Sequence, residues 1–112
     1  LAEIIDASVA EADASGLPYY IVGHVGDGNF HLAYLVKDGD AAQRDVAEDL
    51  SQRMVQRAIA LEGTCTGEHG VGRGKRKYLG LEHGAAALDV MRSIKRALDP
   101  RNIMNPGKTV PL

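Results

Sequence analysis

The chain has 112 residues, 45% of them hydrophobic and 25% charged, with a formal net charge of −2. These ordinary globular proportions argue against a disordered chain and a membrane class, and the near-neutral charge argues mildly against nucleic acid as a partner. No apolar run approaches the roughly 20 residues of a membrane-spanning helix, and the lone Cys65 excludes an internal disulfide.

Leu1, Ile4, Ile5, Val9 and Ala12 recur at helical spacing over residues 1–14, and Ser15-Gly16 ends the pattern. The chain opens on Leu1 inside this helix, with neither an initiator methionine nor a targeting segment, as expected of a piece excised from a longer protein. After Pro18, Tyr19 to Gly26 reads as a strand rich in aromatic and β-branched residues. Asp27-Gly28 has the residue pair of a two-residue type I′ hairpin turn, and Phe30 to Val36 returns as the second strand. Apolar residues occur on both faces of this hairpin: Tyr20, Val22 and Leu35 on one, Ile21, Leu32 and Tyr34 on the other. Two strands alone make a marginal sheet, so an exposed edge is expected, to be capped by a missing strand or by a second copy of the chain in a homodimer.

A long amphipathic helix follows from about Ala41 to Leu61, with Val46, Leu50, Met54, Ala58 and Leu61 as its inward stripe and Gly63 as its C-cap. Residues 63–74 are too dense in glycine for a regular element. A last helix, from about Glu82 to Leu98, turns Leu88, Met91, Ile94 and Leu98 inward and stops at Asp99-Pro100. The tail Asn105-Pro106-Gly107-Lys108 is irregular. The order α-β-β-α-loop-α predicts an α+β fold, an antiparallel hairpin with about three helices.

His24 and His31 bracket the hairpin turn. With Asp27-Gly28 as the whole loop, His24 pairs directly with His31, and their Cβ atoms lie about 5 Å apart on one face. That spacing suits two imidazoles on one metal ion. It depends on register, because a one-residue slip sends the rings to different neighbours. Without such a register, two histidines on a strand pair are ordinary polar residues of a solvated face. Glu68, in Gly67-Glu68-His69-Gly70, would complete a two-histidine, one-carboxylate set with open coordination positions, as catalytic zinc and other divalent metals require. His69 then serves as a base; the bland alternative is a flexible surface loop. Cys65 reads as a small buried residue rather than a fourth ligand. Gly70 to Lys75 matches neither the dinucleotide fingerprint nor the P-loop spacing. The basic run Arg73 to Lys77 is a solvated turn unless one of its cations meets a carboxylate or a flavin phosphate. His83 reads as a surface residue.

Three blocks together resemble the C-terminal domain of FAD-linked oxidases, the family that includes cytochrome-type D-lactate dehydrogenase, glycolate oxidase and D-2-hydroxyglutarate dehydrogenase. They are His24 to His31, Gly63-Thr64-Cys65-Thr66-Gly67-Glu68-His69-Gly70-Val71-Gly72, and Leu98-Asp99-Pro100 through Asn105-Pro106-Gly107-Lys108. The second block is closer to the D-lactate and glycolate branch. Ala33 stands where the hydroxyglutarate branch has a substrate-contacting asparagine, which argues against that substrate.

The resemblance implies a ferredoxin-like cap-domain fragment, residues 1–112, of a parent whose FAD-binding domain lies outside this chain. It implies metal ligands at His24, His31 and Glu68, with zinc the first choice of divalent metal, and a catalytic histidine at His69. The tail, with Asn105 and Lys108 toward the cofactor, is expected to fold back to the flavin domain and to be unanchored in the fragment. The implied reaction takes a D-2-hydroxyacid to the 2-oxoacid with hydride transfer to FAD, and a cytochrome, quinone or flavoprotein then accepts the electrons; the fragment alone is expected to be inactive. The implied location is mitochondrial in a eukaryote, and cytoplasmic or peripheral to the inner membrane in a bacterium. A stand-alone metal-binding module, a metallohydrolase and a dimerisation domain are the alternative readings of the same residues.

Overall fold

A computed structural model describes residues 1–110. The order of elements is α1 (Ala2–Ser15), β1 (Tyr19–His24), β2 (Asn29–Tyr34), α2 (Ala41–Ala60) and α3 (Leu79–Leu98), with short 3-10 turns at Val25–Asp27 and Arg76–Tyr78. The α+β class stands. A ferredoxin-like sheet has four strands, and the described residues supply two, paired antiparallel. No helix among the described residues is long and apolar enough to cross a membrane. The chain divides into two compact units, Leu1–Leu61 and Glu62–Leu112.

In the first unit α1 lies along α2. Ile4, Ala12, Leu17, Leu32, Leu50 and Val55 are buried, and so is Ser8, whose hydroxyl has no hydrogen-bond partner among the described residues. The helices are also joined by charge. Arg57 Nη2 donates to Glu11 Oε1 at 2.6 Å, with Arg53 at 3.8 Å from the same oxygen. The bond from Arg57 holds the Glu11 carboxyl below its ordinary pKa despite partial desolvation. The Asp40 carboxylate caps α2 by accepting the Gln43 N–H at 2.9 Å.

The inward stripe of α2 is narrower than the periodicity predicts. Leu50 and Val55 are buried, whereas Val46 and Leu61 are 41% and 43% exposed. The helix is capped at Leu61, and the left-handed residue after it is Glu62 (φ 60°) rather than Gly63.

The hairpin differs from expectation in length and register. The pairs are Tyr19 with Tyr34, Ile21 with Leu32, Val22 with His31, Gly23 with Phe30, and His24 with Asn29. A type I′ turn needs positive φ at both central residues, and of Asp27 and Gly28 only Gly28 has it, at 73°. The chain instead turns through four residues, Val25 to Gly28, closed by Gly28 N–H to Val25 C=O at 3.1 Å. Strands therefore end earlier than predicted. Because the resulting slip is even, each side chain keeps its expected face. Tyr20 and Val22 are about half exposed on the face with His31 and His24, and Leu32 is buried on the other.

In the second unit Cys65, Tyr78, Leu79 and Leu88 are buried. The last helix starts three residues earlier than predicted and is interrupted at Gly84 (φ 76°, ψ 170°). Of its expected inward residues only Leu88 is buried. Met91, Ile94 and Leu98 line an open apolar groove of about 310 Å³ with Met104 and Val110, and Leu98 is 75% exposed.

Candidate metal and catalytic site

The predicted site residues divide between the two units. In the first, His24 ends β1 and His31 lies within β2. They are not cross-strand partners as expected, since His24 faces Asn29 and His31 faces Val22. They are diagonal neighbours on one face, a relation that separates residues by about 7–8 Å, more than the roughly 5 Å of direct partners. His24 is exposed and His31 half-buried. Gly23, between Val22 and His24, permits the close strand approach: a Cβ there would lie 2.5 Å from the Asn29 carbonyl oxygen and 2.6 Å from Phe30 Cα. Ala33 shares the face with His31 and adds only a methyl group.

In the second unit Glu68 and His69 occupy the two central positions of a closed turn. Gly70 N–H donates to Gly67 C=O at 3.2 Å, and the Thr66 hydroxyl donates to Gly70 C=O at 2.6 Å. Glu68 Oε1 lies 3.7 Å from His69 Nε2, and both side chains face solvent, His69 at 78% and Glu68 at 43% exposure. The glycine-dense loop is thus an ordered presentation of an acid beside an imidazole.

Its root is fixed by a residue that sequence reasoning passed over. Glu82, on α3, accepts the Cys65 N–H at 2.8 Å, and its side chain is 11% exposed. Desolvation alone would raise the Glu82 pKa, but the bonds from the Cys65 backbone and the Thr64 hydroxyl outweigh it and lower the value. Cys65 is buried, as read from the sequence, and burial together with its hydrogen bond to Glu82 pushes the thiol up to about 11. No spacing in the sequence marks Glu82, because the contact joins a loop to a helix 17 residues away. His83 is exposed beside it, Nε2 lying 3.6 Å from Glu82 Oε1.

The tail is anchored, contrary to expectation. The buried Asp99 carboxylate accepts the N–H groups of Ile103 and Met104 at 3.0 and 2.9 Å and pairs with Lys95, which also donates to Met104 C=O at 2.6 Å. The bond from Lys95 is the largest of the influences that lower the Asp99 pKa. Beyond it, Asn105-Pro106-Gly107-Lys108 closes a turn, with Lys108 N–H to Asn105 C=O at 3.1 Å. Arg76 Nη1 donates to Gly107 C=O at 2.8 Å, and Thr109 N–H donates to Gly72 C=O at 2.7 Å. The Asp99 carboxylate, the Arg76 guanidinium and the Gly72 carbonyl hold the tail in place.

The basic run is only partly solvated. Arg76 is committed to Gly107, and Lys75 and Lys77 place their ammonium groups 5.8 and 5.2 Å from the centre of the Tyr78 ring. Half-burial lowers the pKa of Lys75.

Comparison with known proteins places these features in a family. The family model for the C-terminal domain of FAD linked oxidases matches residues 1–109. The chain belongs to that family. A mitochondrial cytochrome-type D-lactate dehydrogenase of Arabidopsis thaliana is 51% identical over 99% of this FAD-linked oxidase C-terminal domain and 20% of its own length. A glycolate oxidase subunit of Bacillus subtilis is 42% identical over 77% of the domain and 18% of its own length. A D-2-hydroxyglutarate dehydrogenase of Xanthomonas citri pv. viticola is 36% identical over 77% of the domain and 18% of its own length. The chain thus spans about a fifth of the length of these relatives.

The donor chemistry of the domain fits a divalent metal. Two imidazoles on one sheet face, and a carboxylate on a closed turn, are the ligand types that zinc and neighbouring metals take in open catalytic sites. The Asn105–Lys108 turn offers an amide and an ammonium group, donors suited to the polar groups of a flavin cofactor.

Proposed function

We propose that this chain is the substrate-side, C-terminal part of an FAD-dependent D-2-hydroxyacid dehydrogenase, with D-lactate as first substrate and glycolate as second. The observation that carries the reading is the gradient of identity: 51% to a D-lactate dehydrogenase over nearly the whole chain, 42% to a glycolate oxidase subunit and 36% to a D-2-hydroxyglutarate dehydrogenase. The methyl side chain of Ala33, which can donate no hydrogen bond, agrees with a small substrate.

In this reading His24, His31 and Glu68 hold a divalent metal, zinc by preference, and Asn105 and Lys108 face FAD. The metal supplies Lewis acidity toward the substrate oxygens, and FAD supplies the hydride acceptor. His69 takes the proton of the 2-hydroxyl group on an imidazole nitrogen as the α-hydrogen departs as hydride. The Glu68 carboxylate lies 3.7 Å from that ring, beside it in the same turn. The ordered turn keeps both groups oriented, and Glu82 holds its root in place.

The remaining polypeptide of the parent would supply the FAD-binding domain, and it or a second copy of the chain would cover the free hairpin edges. Without that flavin the present chain is inactive. A cytochrome, quinone or flavoprotein would reoxidise the cofactor. The setting would be mitochondrial for a eukaryotic source, and cytoplasmic or peripheral to the inner membrane for a bacterial one.

The test is oxidation of D- and L-lactate, glycolate and D-2-hydroxyglutarate by the full-length protein with an artificial electron acceptor, alongside its metal content. D-lactate should be preferred, His69→Gln should lose at least about 100-fold in kcat, and His31→Ala should lose the metal. Activity undiminished in His69→Gln would sink the assignment of the base, and a metal-free active enzyme would sink the ligand set.

A further inference from the structure

The tail and the glycine loop of the second unit form a closed ring. From Gly72 the chain runs to Arg76, whose guanidinium donates to Gly107 C=O at 2.8 Å; two residues on, Thr109 N–H returns to Gly72 C=O at 2.7 Å. Thr109 is held there in an unfavourable conformation. Its φ is +60°, and Val110 N–H donates to Lys108 C=O at 2.7 Å across it, the strained form of a three-residue turn. A β-branched residue rarely adopts positive φ, and such a conformation persists only where surrounding contacts over-determine it. The bonds from Arg76 and to Gly72 are those contacts.

Two turns adjoin this ring. One, Gly67 to Gly70, presents Glu68 and His69 and ends two residues before Gly72; the other, Asn105 to Lys108, contains Gly107. The side chain of Arg76, four residues beyond Gly72, reaches across to the second turn.

We propose that Arg76 is a positioning residue: by clasping Gly107 it sets the placement of the Asn105–Lys108 turn relative to the Glu68–His69 turn. The inference rests on the reading of those two turns as the cofactor-facing and proton-accepting parts of the site. Arg76 Nη1 is committed to the Gly107 carbonyl. It acts through the backbone, so its loss changes the chemical step more than substrate binding.

The experiment uses the full-length flavoprotein with Arg76→Ala, Arg76→Lys and, as a second way to open the ring, Thr109→Pro, which removes the donor and cannot adopt positive φ. Amide hydrogen exchange at Thr109 and Gly70 is followed together with kcat and KM. In Arg76→Ala and Thr109→Pro, exchange at Gly70 should rise about tenfold as the ring opens, and kcat should fall about tenfold with KM within about twofold. Arg76→Lys, which retains one donor for Gly107, should recover most of the kcat. A Gly70 amide as protected as in the wild type in both ring-opening variants would overturn the proposal, as would an unchanged kcat. If the wild type oxidises no D-2-hydroxyacid, the proposed activity fails, and the exchange at Gly70 still decides the clasp.

Discussion

The carboxylate of Glu82 accepts the backbone N–H of Cys65 at 2.8 Å, fixing the root of the loop that presents Glu68 and His69. Replacing Glu82 with alanine leaves the N–H of the buried Cys65 without its acceptor. Glu82→Ala should cost about 1–3 kcal/mol of stability, read as a shift in the midpoint of denaturant unfolding. Glu82→Gln keeps one acceptor oxygen and should cost less. Equal losses in the two variants would mean that the charge of Glu82, rather than its acceptor, carries the effect.

The Cys65 thiol beside that carboxylate sets an alkaline limit. Its pKa is raised from 9.0 to about 11 by burial and by Glu82. A group raised in the folded state contributes stability that is complete below its unfolded value and is lost as pH climbs through the folded one. Stability should therefore decline between about pH 9 and pH 11, and Cys65→Ala should flatten that decline. Thiol alkylation at pH 8 should be slow in the folded protein and fast in denaturant.

Gly23 stands where a Cβ would meet the Asn29 carbonyl oxygen at 2.5 Å. Gly23→Ala should push the strands apart and destabilise the hairpin by about 1–3 kcal/mol, the usual range for forced overpacking. Because Gly23 is next to His24 and opposite Phe30, the same substitution should also weaken the metal binding proposed for His24 and His31, in a competition assay with a chromogenic chelator. Unchanged affinity would show that the two histidines tolerate a shifted strand pair.

Ser8 is 2% exposed and its hydroxyl has no partner among the described residues. Ser8→Ala removes a buried polar atom at almost constant volume. Unlike most core substitutions it should be neutral or stabilising, by up to about 1 kcal/mol in thermal or denaturant unfolding. A clear loss of stability would reveal a water or protein acceptor for the hydroxyl.

Local pattern accounts for much of this molecule. Helical periodicity and turn residues located the three helices and both strands, because those signals operate over a few residues. The alternation of side chains placed His24 and His31 on one face, and that survived an error in register, since a slip of two residues preserves parity. The Glu68-His69 pair was legible in the same way, being adjacent in the chain and flanked by glycines that permit a tight turn.

What lay beyond the sequence is whatever depends on contacts between distant segments. Whether Asp27 takes positive φ is decided by the strands it joins, so residue preference for a two-residue turn gave way to a four-residue one. Periodicity marks apolar faces on α2 and α3 but cannot say which positions find cover, and Val46, Ile94 and Leu98 do not find it among the described residues. The tail read as loose because its own sequence has no regular element. Its anchors are a carboxylate, a guanidinium and a backbone carbonyl supplied by Asp99, Arg76 and Gly72, and hydrogen bonds of that kind leave no periodic trace in sequence. The chemistry of the site was therefore written in residue types and short spacings, while the rigidity that presents its Glu68–His69 turn was decided by tertiary hydrogen bonds.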